Sequence, residues 1–139
     1  MNGNITFTII KPRAVEKGYI APILNMIHKA GFKISALKML QLTQHEAERF
    51  YAVHQGKIFY EKLIEFMISG PIVVSILKKE NAVEEYRKLI GNTDPEKAEE
   101  GTIRKLYAES VRENAVHGSD SDETAAMEAC FFFSEADRF

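Results

Sequence analysis

The run Ile5-Thr6-Phe7-Thr8-Ile9-Ile10 stops abruptly at Lys11-Pro12, and that junction constrains the fold more than any other stretch of the chain. β-Branched and aromatic residues in such density favour a strand. Pro12 has no N–H to give to a ladder, so the strand ends there and leaves a charged Lys11 at its tip. Beyond it, Ile20, Ile23, Leu24 and Ile27 recur at near-helical spacing, which predicts a helix over residues 14–30 stopped by Gly31.

The same reading continues down the chain. Residues 32–42 alternate imperfectly and suit a long, once-bent strand, and Thr43 with Glu46 forms a capping box that starts a helix reaching about Val53. Leu63, Ile64 and Met67 predict a helix over 59–69, broken by Gly70-Pro71 before the strand 72–77. Asn81 is placed to cap a helix through Ile90, closed by Gly91, and the polar stretch 92–101 with Pro95 reads as an exposed loop. A short helix after Thr102, a turn over 117–121, a helix over 122–129 and a last strand at Phe131–Phe133 complete the set. Strands near residues 5, 34, 73 and 131 alternating with helices predict an α/β (α+β sandwich) fold, ferredoxin-like βαββαβ. It has a four-stranded, mostly antiparallel sheet covered by a layer of helices.

A chain of 139 residues suits one domain spanning 1–139, burying roughly two-thirds of its unfolded surface. Its 45% apolar and 27% charged content is that of an ordinary globular protein. A net charge of −2 without a dense Lys/Arg run gives no footprint for a nucleic-acid backbone, so a small phosphorylated ligand is the better match. Met1-Asn2-Gly3-Asn4 lacks the basic start of a signal peptide, and no stretch reaches the ~20 apolar residues that cross a bilayer; the expected address is the cytoplasm, with no membrane partner. Cys130, within Ala129-Cys130-Phe131-Phe132-Phe133, is expected to be a buried, inert thiol.

Neither G-x-x-x-x-G-K-[ST] nor G-x-G-x-x-G occurs, so any phosphate site must be built from side chains. Lys11, Arg87 and Arg104 are the candidate cations, although each taken singly is more often a solvated charge. His28, His45 and His54 lie in helical patterns where packing or surface roles suffice, whereas His117 precedes Gly118 outside such a pattern. Glu128, eleven positions on, is placed for a helix to fold its carboxylate back onto that imidazole. A plain helix start, with Asp120 and Glu123 as its capping pair, explains the same residues, and a helix N-terminus also suits anionic chemistry.

The string Asn114-Ala115-Val116-His117-Gly118-Ser119-Asp120-Ser121 resembles the N-x-x-H-G-S-D-S signature of nucleoside diphosphate kinases. The resemblance extends along the chain through Thr8-Ile9-Ile10-Lys11-Pro12, Ser69-Gly70-Pro71 and Gly101-Thr102-Ile103-Arg104. It implies the βαββαβ sandwich and a ping-pong transfer of the γ-phosphate of a nucleoside triphosphate, typically ATP, to a nucleoside diphosphate. His117 is then the nucleophile through Nδ1, with Glu128 and Ser119 fixing its other nitrogen. Lys11, Tyr51 and Arg104 take the transferring phosphoryl oxygens, Arg87 and Thr93 the other phosphates, and Asn114 with Lys11 the sugar hydroxyls. Phe59 stacks on the base, which gives broad base specificity. Mg²⁺ arrives with the nucleotide, with Asp120 reaching it through water at most, and the assembly implied is a homo-oligomer, hexamer or tetramer.

Four places depart from the family pattern: Arg13 stands for the usual Asp, Asp94 for Asn, Arg112-Glu113 for Gly-Arg, and Lys105-Leu106-Tyr107 for Gly-Asp-aromatic. If the glycine position demands a positive φ, Arg112 carries strain. A non-catalytic nucleotide-sensing scaffold and a regulatory nucleic-acid binder on the same sandwich are the alternative readings. The intact set of titratable and cationic positions opposes the first, and the acidic balance opposes the second.

Overall fold

The computed structural model describes residues 3–139; Met1 and Asn2, where the reading of the N-terminus begins, lie outside them. The strands are β1 (Ile5–Ile10), β2 (Lys33–Leu40), β3 (Ile72–Lys78) and β4 (Val116–Gly118). The helices are α1 (Pro12–Glu16), α2 (Ile20–Lys29), α3 (Gln44–Phe50), α4 (Tyr60–Met67), α5 (Ala82–Ile90), α6 (Ile103–Tyr107) and α7 (Asp122–Phe132). The sheet runs β2-β3-β1-β4 with every neighbouring pair antiparallel, the ferredoxin-like order.

Helices cover both faces of this sheet, where the sequence pattern predicts one layer. On one face Phe7 and Ile9 of β1 and Val74 and Ile76 of β3 pack with Ile64 and Met67 of α4 and Ala129 and Phe132 of α7. On the other, Ile10, Val73 and Leu77 pack with Ile23 and Ile27 of α2 and with Tyr86 and Ile90 of α5. Thr6, Thr8 and Ser75 are buried too, so a few hydroxyls imitate the apolar–polar alternation of a half-solvated sheet while the first six residues of β3 are all buried. Thr8 and Tyr86 satisfy one another across this face at 2.7 Å.

Three boundaries show local chemistry at work. The helix expected over 14–30 is split into α1 and α2 by Gly18, which sits at φ 81° in the left-handed region. The α3 capping box forms as expected, with Glu46 N donating to Thr43 Oγ1 at 3.1 Å and Thr43 N to Glu46 Oε1 at 2.9 Å. Asn81 stands at the N-cap of α5 but with φ 56°, and its side chain donates to Glu84 Oε2 at 2.8 Å instead of capping.

The fourth strand is the main correction. Phe131–Phe133 is not a strand, because α7 continues through Phe132, whose ring stacks on Phe7 at 5.4 Å. A short apolar run fits a buried helix end as well as a strand, and periodicity alone does not separate them. The edge strand instead takes in the start of the stretch read as a turn over 117–121: Val116, His117 and Gly118 pair with Ile10, Ile9 and Thr8 of β1. Cys130 lies on the outer side of α7 and is exposed, not buried.

Candidate active site

His117 is presented by a strand in register with Ile9, and Gly118 is what lets that strand lie flat. A Cβ on Gly118 would meet Ile90 Cδ1 at 3.0 Å and Tyr86 Cδ2 at 3.1 Å, tighter than ordinary packing contacts, so the glycine suits the close approach to α5. The imidazole projects to the opposite face, beside the rings of Phe7 (6.2 Å between centroids) and Phe50 (5.9 Å).

There Glu128 meets it from α7, with Oε1 2.9 Å from His117 Nε2. Ser119 Oγ donates to the same oxygen at 2.7 Å and accepts from Phe7 N at 3.2 Å. An ionised carboxylate only accepts, so the hydrogen-bond network assigns the proton to Nε2 and leaves the Nδ1 lone pair free. The helix that carries Glu128 is capped by Ser121 and Thr124, not by Asp120 and Glu123: Thr124 N donates to Ser121 Oγ and Ser121 N to Thr124 Oγ1, both at 3.1 Å. Asp120 Oδ1 accepts from Thr124 Oγ1 at 2.8 Å.

Lys11, at the tip of β1, is buried at 8% exposure, and its Nζ donates to Asn114 Oδ1 at 2.7 Å. Burial first, and the Arg104 charge second, lower its pKa from 10.5 to about 7. Arg104 on α6 donates to Gly91 O at 3.1 Å and Val116 O at 2.9 Å, while its Nε has no partner. Burial lowers its pKa to about 10, which still leaves it charged at neutral pH.

Arg87, Thr93 and Arg104 line one cavity of about 500 Å³, together with Lys88 and Lys97. Arg87 and Lys88 also face a second cavity that Asp120 lines. Tyr51 is 7% exposed, its hydroxyl lacks a hydrogen-bond partner, and burial and the Glu128 charge push its pKa up. Phe59, at the start of α4, is 44% exposed.

His54, read from the pattern as a helical residue with a surface or packing role, stands between the rings of Tyr51 (6.2 Å) and Phe59 (5.3 Å). Burial, then the charges of Lys57 and His117, lower its pKa. The three-residue spacing from Tyr51 was the available signal.

The backbone strain falls at Ala115, not at Arg112. Ala115 has φ 74°, and Val116 N donates to Asn114 O at 2.9 Å, closing a tight three-residue turn. Such a conformation costs about 1–3 kcal/mol in a non-glycine residue. It swings Asn114 toward Lys11 immediately before the chain enters β4.

Lys11, Asn114, Arg104, His117, Ser119 and Glu128 are thus joined by direct contacts or through the backbone of β4. Arg87 and Thr93 join Arg104 at the cavity, and Tyr51 reaches the histidine through Phe50. Phe59 lies at the margin of this group, its ring beside that of His54.

Residues 4–138 match the family model described as nucleoside diphosphate kinase. The nucleoside diphosphate kinase of Flavobacterium psychrophilum is 56% identical over 139 residues, covering 100% of both chains. That of Chlorobaculum tepidum is 57% identical over 129 residues, 93% of this chain and 92% of the relative. Among solved structures, the Aquifex aeolicus nucleoside diphosphate kinase superposes with a TM-score of 0.95 at 41% identity, covering 98% of this chain and 99% of its own. The Halobacterium salinarum enzyme in complex with CDP gives 0.93 at 30% identity, covering 99% and 92%.

Proposed function

The chain belongs to the nucleoside diphosphate kinase family, enzymes that transfer phosphate between nucleotides, and from that premise we propose that His117 Nδ1 is the atom that carries the phosphoryl group. The observation that carries this reading is the Nε2–Glu128 hydrogen bond of 2.9 Å, which leaves Nδ1 unprotonated and free to attack. In the first half-reaction the Nδ1 lone pair forms a bond to the γ-phosphorus as the bond to the bridging oxygen breaks, and the diphosphate leaves. An acceptor diphosphate then takes the group back from the same nitrogen, a ping-pong cycle through one site. Glu128, steadied by Ser119, holds the proton on Nε2 and balances the charge that the ring gains.

Lys11, Tyr51 and Arg104 bind the transferring oxygens in this reading, and Arg87 and Thr93 hold the remaining phosphates. The unpartnered Tyr51 hydroxyl and Arg104 Nε support it, since an anion supplies the acceptor each lacks. Asn114 and Lys11 contact the sugar hydroxyls, and Phe59 stacks on the base without reading its edge, hence broad base specificity.

Mg²⁺ fits a site of this composition as a passenger of the nucleotide. Among the described residues no group of three or more His, Cys, Asp or Glu could cage an ion, whereas Asp120 and Arg87 line the same cavity. Asp120 would be the residue to hold such an ion, through water, and the ion would supply neutralisation of phosphate charge.

We further place the protein in the cytoplasm as a single catalytic domain over 1–139. No helix of the described residues is long and apolar enough to cross a membrane. A homo-oligomer, hexamer or tetramer, is supported by the edge strand β2, which leaves Leu37 and Met39 half exposed. The deciding experiment mixes the protein with γ-labelled ATP and Mg²⁺. The expected product is an acid-labile, alkali-stable label that His117→Ala abolishes; equal labelling of that variant would overturn the assignment.

A further inference from the structure

Arg13, one of the departures from the family pattern, lies two residues beyond Lys11 and reaches across to the loop that delivers Asn114. Its Nε donates to Glu109 Oε2 at 3.1 Å, and Lys17 Nζ donates to the other oxygen, Oε1, of the same carboxylate. These bonds, Lys17 first and then Arg13, hold the Glu109 carboxyl below the usual range. Glu16 shares the Arg13 guanidinium at 2.7 Å.

Glu109 also begins a self-closed loop. Its N–H donates to Glu113 O at 2.9 Å, and Glu113 N donates to Ser110 Oγ at 3.0 Å. Asn114 follows, buried against Lys11 Nζ, and then the strained Ala115, whose carbonyl accepts from Lys11 N at 2.9 Å. Residues 109–115 are therefore tied to residues 11–17 at both ends: by Lys11 beside the active site, and by Arg13 and Lys17 about one helical turn away. A residue such as Ala115 keeps its left-handed conformation only where its surroundings over-determine it, and the Glu109 clamp is the part of those surroundings outside the site.

We propose that Glu109, clamped by Arg13 and Lys17, is a positioning residue that fixes the 109–115 loop and so presents Asn114 to the ribose hydroxyls of the nucleotide. This rests on the reading of Asn114 given above. The clamp is exposed, and exposed ion pairs add little to overall stability. Its removal loosens the loop and leaves the fold intact. The effect belongs in KM, because a ribose contact is made equally in the bound substrate and in the transition state.

The test compares wild type, Glu109→Gln, Glu109→Asp and Asn114→Ala with a ribonucleoside diphosphate and with its 2′,3′-dideoxy analogue as acceptors. Melting temperature is followed in parallel. Glu109→Gln is expected to raise the KM for the ribonucleotide about two- to fivefold with kcat and melting temperature unchanged, and to leave the KM for the dideoxy analogue unaltered. Glu109→Asp is expected to restore part of the loss. Salt at about 0.5 M screens the phosphate contacts of both proteins, but it screens the clamp only in wild type, so the KM ratio between the Gln variant and wild type should shrink as salt is raised.

An Asn114→Ala variant with unchanged KM for the ribonucleotide would overturn the Asn114 reading itself. If Asn114→Ala is impaired and Glu109→Gln matches wild type, the clamp alone is overturned. An equal KM rise on both acceptors also overturns it, because the effect would not pass through the sugar.

Discussion

Replacing Lys11 with Met should stabilise the empty protein at low pH while abolishing most phosphotransfer, and the size of that trade follows from how Lys11 is buried. Its pKa falls from 10.5 to about 7, chiefly through burial and then through Arg104. At about 1.4 kcal/mol per pH unit, holding the ammonium charged inside the fold destabilises it by about 5 kcal/mol. The hydrogen bond to Asn114 Oδ1, lost on substitution, returns about 1–3 kcal/mol of that. The Met variant should therefore be more stable than wild type by about 2–4 kcal/mol at about pH 6. The sign of the pH dependence is fixed. Below pH 7 the lysine is protonated in both folded and unfolded chains, and the full destabilisation is present. Between about 7 and 10.5 the unfolded chain keeps a proton that the folded chain has lost, so wild-type stability rises with pH and the advantage of Met shrinks. Urea unfolding of both proteins across about pH 6–9 measures this difference, in which every other titrating group cancels. The gap should close by about 2 kcal/mol between about pH 7 and 9. A gap that is constant with pH, or a Met variant less stable at about pH 6, would refute the argument.

Two further substitutions test the nucleophile and its strand. Glu128→Gln removes the charge that holds the proton on Nε2 and admits the wrong tautomer; by the precedent of a carboxylate orienting a catalytic histidine, kcat should fall about 10²-fold or more. A steady-state kcat within about threefold of wild type would count against the orienting role. Gly118→Ala forces a methyl to within 3.0 Å of Ile90 Cδ1 and 3.1 Å of Tyr86 Cδ2, so the urea midpoint should fall by the equivalent of about 1–3 kcal/mol. An unchanged midpoint would mean that β4 and α5 separate at little cost.

The sequence revealed most of this architecture where the signal was local. The capping box of Thr43 and Glu46, the break at Gly70-Pro71 and the stop at Lys11-Pro12 each rest on chemistry within a few residues, and each stands where expected. Pairing was not legible in the same way. Val116-His117-Gly118 has no β-rich run to announce a strand, and it becomes one because β1 offers an open edge and Gly118 lets the backbone approach α5. Phe131 and Phe132 carry the apolar run of a strand but belong to a helix end that buries Phe132 on Phe7. The site residues were named from a motif. Their environments were not legible, because the burial of Lys11, the neighbours of His54 and the strain at Ala115 all depend on partners distant in sequence.

Those environments divide the site into two halves that differ in how complete they are. Around His117 the supporting polar groups are paired and only Nδ1 is left open: Nε2 by Glu128, Glu128 by Ser119, Ser119 by the backbone of Phe7, and the carbonyl of His117 by Thr8 Oγ1 at 2.8 Å. His117 is therefore held on rigid elements before any substrate arrives, as an attacking group must be if little reorganisation is to accompany the transfer. On the phosphate side the opposite holds: the Tyr51 hydroxyl and Arg104 Nε are buried without partners, and the Lys11 ammonium is pushed toward neutrality by burial and by Arg104. In the function proposed above, a phosphoryl group supplies what these three lack, acceptors for the first two and negative charge for the third. On that proposal the folding free energy given up on the phosphate side is recovered when the nucleotide binds, and the two halves divide the work: one takes an anion in transit, the other is a fixed platform for receiving it.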